Sequence, residues 1–262
     1  VFEQYFVGDF DGREFKNDNP ADKILTLDYG DTYYAAIPWN NLPDEGKTYI
    51  GWMVPNPEPT APWRGQMSIA RDLGLRAAKE GLRLVQQPAS VIENRLDELS
   101  HGRRIELENI PVHQGAIDLD KNEKLSGNAY WIKAAITMDS HAEAGFSLAQ
   151  KKDAAGKTIH ETVIGYDAAR HQLYVDRTNA GGGELNKGKL RQTIDLSGRP
   201  NSIQLEILLD KSSLEVFVNN GEAALTTYIY PEEGSTHIAA FSKKGNAVIK
   251  NLRIWDLSSV KQ

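Results

Sequence analysis

Apolar and polar side chains alternate with a period of two along most of this chain, and the alternation is clearest in its second half. YWIKAAITM (130–138), AGFSLAQKK (144–152), SIQLEILLD (202–210), SSLEVFVNN (212–220), HIAAFSKK (237–244) and AVIKNLRIWDL (247–257) each read as a strand with one face turned to a core. ETVIGYDAARHQLYVDR (161–177) reads as two strands with a turn at Asp167-Ala168-Ala169-Arg170. Gly, Asn and Asp separate these runs at the spacing of a β-sandwich, so residues 110–262 are predicted to form one.

The first half is also strand and turn, in shorter pieces. QYFVGDF (4–10) leads into Asp11-Gly12, a hairpin signal, and KILTLDYG, TYYAAIPW, KTYIGWMV and QMSIARDLGLR follow. A proline-rich bend, PNPEPTAPW (55–63), interrupts them. The single helical pattern lies between Glu80 and Leu107. There Pro88-Ala89-Ser90 starts it, Val91, Ile92, Leu96 and Leu99 recur at helical spacing, and His101-Gly102 stops it. The domain reading is therefore residues 1–80, a linker with a short helix over 81–109, and a sandwich over 110–262.

Composition narrows the function. The 262 residues are 40% hydrophobic and 25% charged, ordinary for a globular chain with a sizeable core. A net charge of -6 gives no excess of cations for a phosphate backbone, so no nucleic-acid partner is expected. No apolar run approaches the roughly 20 residues of a membrane helix, so no membrane partner is expected either. Cysteine is absent, which removes disulfides, thiolate catalysis and zinc-thiolate sites. The opening VFEQYFVGDF reads as strand, with neither an initiator Met nor a signal peptide, and points to a piece of something longer.

Three motifs fail on their chemistry. Gly183–Lys189 follows a phosphate-binding loop, but Leu190 stands where the magnesium-binding hydroxyl is required. His160-Glu161 lacks the second histidine of a zinc helix, since Ile164 occupies its place. Asp9-Phe10-Asp11-Gly12 lacks the downstream acids of a calcium loop. No metal or cofactor is called for.

Five segments together resemble glycoside hydrolase family 32, the invertases, inulinases and levanases. They are QYFVGDFDGREF (4–15), LDYGDTYYAAIPW (27–39), YIGWMVP (49–55) with PTAPWRGQMSI (59–69), LYVDRT (173–178) and DKSSLEVFVNNGE (210–222). Within the matched part, Ala70 stands where the family usually has proline and Asp72 where it usually has glutamate. The resemblance implies a five-bladed β-propeller followed by a β-sandwich, acting on β-fructosides with retention. It places this chain at the last two blades plus the sandwich, an all-β fold.

The resemblance also implies three acidic segments: Asn-Asp-Pro-Asn for the nucleophile, Arg-Asp-Pro for a transition-state stabiliser and Glu-Cys for the general acid. None occurs in these residues. Retaining hydrolysis needs two carboxyl groups about 5–5.5 Å apart, so the chain alone is expected to be inactive, with no catalytic residue of its own. Trp63, in Pro-Trp-Arg-Gly, is expected to pack its indole on a furanose, and Asp28 to meet sugar hydroxyls. Arg64 is expected to tie its loop to a neighbouring blade.

The expected partners are a fructan or sucrose-type sugar and the missing blades, supplied as a separate fragment or replaced by self-association. The alternative is a non-catalytic carbohydrate-binding or scaffold protein. The resemblance suggests a periplasmic or extracellular setting.

Overall fold

The computed structural model describes residues 3–42, 47–54, 65–120, 125, 127–198 and 201–258. The front part contains β1 (Gln4–Tyr5), β2 (Gly8–Phe10), β3 (Phe15–Asn17), β4 (Leu25–Thr26), β5 (Tyr33–Pro38), β6 (Thr48–Met53), β7 (Gln66–Met67), β8 (Arg71–Ala78) and β9 (Gly81–Pro88). β1 pairs with β4, and β2 with β3, as small antiparallel ribbons. β5-β6-β8-β9 make an antiparallel sheet in that order, with β7 paired to β6.

Helices are confined to α1 (Ser90–Glu93) and α2 (Leu96–Leu99) among the described residues, apart from one 3-10 turn at Gly183–Leu185. The helical pattern read over this stretch is thus two single turns. Gly81–Pro88, expected to belong to the linker, is instead the fourth strand of the front sheet. Its register with β8 runs from Arg71↔Pro88 to Ala78↔Gly81.

The remaining strands are β10 (Arg104–Val112), β11 (Gly115–Asp118), β12 (Tyr130–Met138), β13 (Glu143–Lys152), β14 (Thr158–Asp167), β15 (Gln172–Asp176), β16 (Arg191–Asp195), β17 (Ser202–Asp210), β18 (Ser213–Val218), β19 (Ala223–Tyr228), β20 (His237–Lys243) and β21 (Ala247–Asp256). They form two six-stranded sheets, β10-β21-β12-β17-β18-β19 and β11-β20-β13-β14-β15-β16. Inward residues of both sheets share one core, including Ile132, Phe146, Ile164, Leu173, Ile207, Val216, Ile238 and Ile254. Each such side chain contributes roughly 1.5–3 kcal/mol by burial. The alternation read in the sequence is the inside and outside of this sandwich.

β18 and β19 depart from that rule, because every residue in both is buried. Leu214, Val216 and Val218 face the sandwich core. The opposite face is covered by the front part, so this hairpin joins the two halves. α1 and α2 cover another part of the same outer surface, where Leu96 packs with Trp131 and Trp255.

Candidate functional site

The first residue of β8, Arg71, is fully buried at the junction between the front sheet and the β18–β19 hairpin. Its Nη1 donates to Asp28 Oδ2 at 2.9 Å and Gln86 Oε1 at 2.8 Å. Its Nη2 donates to Glu215 Oε2 at 2.8 Å and Thr226 Oγ1 at 2.6 Å. The guanidinium carbon lies 4.1 Å from the centre of the Tyr33 ring and 4.9 Å from that of Phe217. A planar cation between two rings, forked toward two carboxylates, is a task for arginine rather than lysine.

Burial acts to lower the Arg71 pKa, but Asp28 and Glu215 beside it outweigh that effect and hold it above its ordinary value. Burial pushes the Glu215 carboxyl up, against the pull of Arg71 and of the Ile69 amide, which donates to Glu215 Oε1 at 2.7 Å.

Asp28 is 1% exposed. Its Oδ1 accepts from the amides of Gly30 at 2.8 Å and Thr226 at 2.9 Å, while its Oδ2 accepts from Arg71 and from Thr226 Oγ1 at 2.7 Å. The expectation that Asp28 meets sugar hydroxyls is therefore corrected. Four protein donors already occupy its two oxygens, and the group fastens the front part to the sandwich. Three residues on, Asp31 repeats the arrangement, accepting from Thr227 Oγ1 at 2.8 Å and from Arg177 Nη2 at 2.9 Å. Gly30 between them lies so close to Thr226 that a Cβ would run into its carbonyl oxygen.

Beside this junction is a cleft of about 380 Å³ lined by Tyr5, Tyr29, Arg76, Asp195 and Glu222, among others. Burial raises the Tyr29 pKa, and Tyr5, Asp195 and Glu222 raise it further. Arg76 Nη2 pairs with Glu222 Oε1 at 3.2 Å. On the outer face of the front sheet, Tyr34, Trp52 and Met67 form one cross-strand row. Trp52 is 38% and Tyr34 45% exposed, with ring centroids 6.4 Å apart. Trp63 and Arg64, on which the sugar-contact and loop-tethering expectations rest, lie outside the described residues.

Sequence reading missed Arg71, Glu215 and Thr226. The available signal was a charge on an apolar phase, and Arg71 alone carries it, since it interrupts the alternation Met67, Ile69, Leu73; Glu215 falls on the polar phase of SSLEVFVNN, opposite Leu214, Val216 and Val218.

Residues 98–256 match the profile of the glycosyl hydrolases family 32 C-terminal region, and residues 1–88 match that of the family's N-terminal domain. The chain belongs to glycoside hydrolase family 32. A levanase of Bacillus subtilis (strain 168) is 34% identical over 98% of this family 32 chain and 38% of its own length. An extracellular exo-inulinase of Aspergillus awamori is 30% identical over 98% of this chain and 48% of its own. The solved exo-inulinase from Aspergillus awamori superposes with a TM-score of 0.83 at 27% identity, covering 98% of this chain and 50% of that one. Fructan 1-exohydrolase IIa from Cichorium intybus shares the fold at a TM-score of 0.78 and 16% identity, over 98% and 55% of the two chains. This family 32 chain thus spans between about two fifths and about half of the length of these relatives.

Proposed function

We propose that the chain is the C-terminal portion of a retaining fructan β-fructosidase, cutting levan, inulin or sucrose only when joined to the blades that carry the acids. The observation that carries this reading is the unequal coverage. Nearly all of this chain aligns with a levanase, but only 38% of that levanase aligns with it. The three acidic segments expected of the family do not occur in these residues. On this reading residues 1–88 are the last two blades of a five-bladed propeller. The buried contacts of Asp28 and Asp31 set those blades against the sandwich, and Trp63 supplies the flat face on which a fructose ring packs.

The test is fructose release from levan, inulin and sucrose by the chain alone and after mixing with the N-terminal part of the Bacillus subtilis levanase. No release alone and levan hydrolysis from the mixture is the expected result. Release by the chain alone, above a buffer blank, overturns the proposal.

A further inference from the structure

A trough of about 530 Å³ crosses the outer face of the β10-β21-β12-β17-β18-β19 sheet, walled on one side by Gln87 of β9 and Glu93 of α1. Strand register fixes what lines it. One cross-strand row runs Arg253, Lys133, Glu206, Phe217, and the next runs Asn251, Ala135, Gln204. Ala135 therefore sits as a single methyl between two long carboxamides, which gives the trough its depth. The β12–β21 register shifts immediately after it, between Ala135 and Ile136.

The charges along this trough are closed. Lys133 pairs with Glu93 and lies 3.3 Å from Glu206, while Arg253 Nε lies 3.5 Å from Glu106. Trp131 Nε1 also donates to Glu206 at 2.7 Å. The uncharged groups remain available: the carboxamides of Gln87, Gln204, Asn220 and Asn251 come from four different elements and line this one trough. Among the described residues, none of the four carboxamides makes a hydrogen bond to another protein group. Asn220 is held in place by its turn, where the Gly221 carbonyl accepts from the Gln86 amide of β9 at 2.9 Å.

We propose that this trough is a saccharide-binding site that takes a neutral oligosaccharide through its hydroxyls. The ligand would be a short fructose oligomer; its identity as fructose rests on the function proposed above. Each carboxamide offers one acceptor and an NH2 donor, which matches a hydroxyl that both donates and accepts. Both cations of the lining are paired, so a polyanion finds no excess positive charge there. The ring nearest the floor, Phe217, is only 2% exposed, so a protein partner would find little apolar area to bury.

Affinity electrophoresis of the full 262-residue chain through gels containing levan or inulin tests this, with calorimetry on fructose trimers to pentamers. The expected result is retardation that weakens about tenfold or more in Gln204→Ala/Asn251→Ala and is lost in Ala135→Leu. The double variant changes two exposed side chains, and circular dichroism of all variants verifies the fold. Retardation absent, insensitive to the trough variants, or found in glucan gels instead of fructan gels overturns the proposal. So does a dimer by light scattering that the trough variants abolish, which would assign this face to a second copy of the chain. If the mixture with the levanase fragment cuts levan and the trough variants bind fructan as well as the parent does, only the trough proposal fails. Loss of the parent function is read separately, in the hydrolysis assay.

Discussion

Arg71 and Glu215 meet at 2.8 Å across the junction of the front sheet and the sandwich, 144 residues apart in the chain and both buried. Removing one partner of such a pair leaves an uncompensated charge out of water. Arg71→Met strands Asp28 and Glu215 together and is expected to cost about 3–5 kcal/mol. Arg71→Lys keeps the charge but loses the fork and is expected to fall between. Arg71→Met/Glu215→Gln should recover part of the loss. Urea unfolding followed by intrinsic fluorescence measures all three, and a single Arg71→Met variant as stable as the parent would sink the junction argument.

Gly30 and Gly12 offer a controlled comparison. A Cβ at Gly30 strikes the Thr226 carbonyl and pushes the turn carrying Asp28 off the sandwich, so Gly30→Ala is expected to cost about 3 kcal/mol or more. Gly12 has φ +97° with open space around it, so Gly12→Ala carries only backbone strain, roughly 1–2 kcal/mol. Equal losses in the two variants, read from denaturation midpoints, would mean that close approach at Gly30 is not what matters.

The sequence declared the sandwich because its strands bury one face, and the period of Tyr130–Met138 holds in the structure from Ile132 onward, where core and outer positions alternate. It declared far less of the junction. Asp28 finds Arg71 at 43 residues' distance and Thr226 at 198, and no local pattern encodes partners so remote. An aspartate in LDYGD reads equally as solvent-facing or as saturated, and only the fold decides. Gly81–Pro88 escaped notice as a strand for a related reason. Its alternation is carried partly by Arg83, Gln86 and Gln87, because it packs one edge against the polar junction rather than against a core.

Asp72 predicts a dependence on pH. Burial raises its pKa, but the Ser90 amide and hydroxyl, at 2.8 and 2.9 Å, and the Thr48 hydroxyl, at 2.8 Å, outweigh burial and hold it below the ordinary value. A carboxyl depressed in the folded state binds its proton less tightly than in the unfolded chain. Its contribution is complete above the unfolded value of about 3.9 and is lost as pH falls through the folded one. The stability difference between the parent and Asp72→Asn should therefore stay constant from about pH 7 to pH 5 and shrink below about pH 4. A difference that grows on acidification would contradict the assignment.

Of sixteen large apolar side chains exposed among the described residues, twelve lie between Phe6 and Leu82, including Phe10, Phe15, Ile37, Trp39 and the Tyr34–Trp52 pair. Soluble monomers rarely leave more than a few hundred Å² of contiguous apolar surface bare, and a sheet face with aromatic rows invites a partner. The isolated chain is expected to form a dimer or higher oligomer through this surface, since one self-complementary patch on both copies is the commonest way soluble chains pair. Light scattering at micromolar concentration reads the mass directly, and Trp52→Ser with Met67→Ser should shift it toward the monomer. Adding the N-terminal part of the Bacillus subtilis levanase should compete for the same face and dissolve the self-association. A monodisperse monomer with no co-purifying fragment would mean that this aromatic face is stable in water as it stands, and the association argument would be wrong.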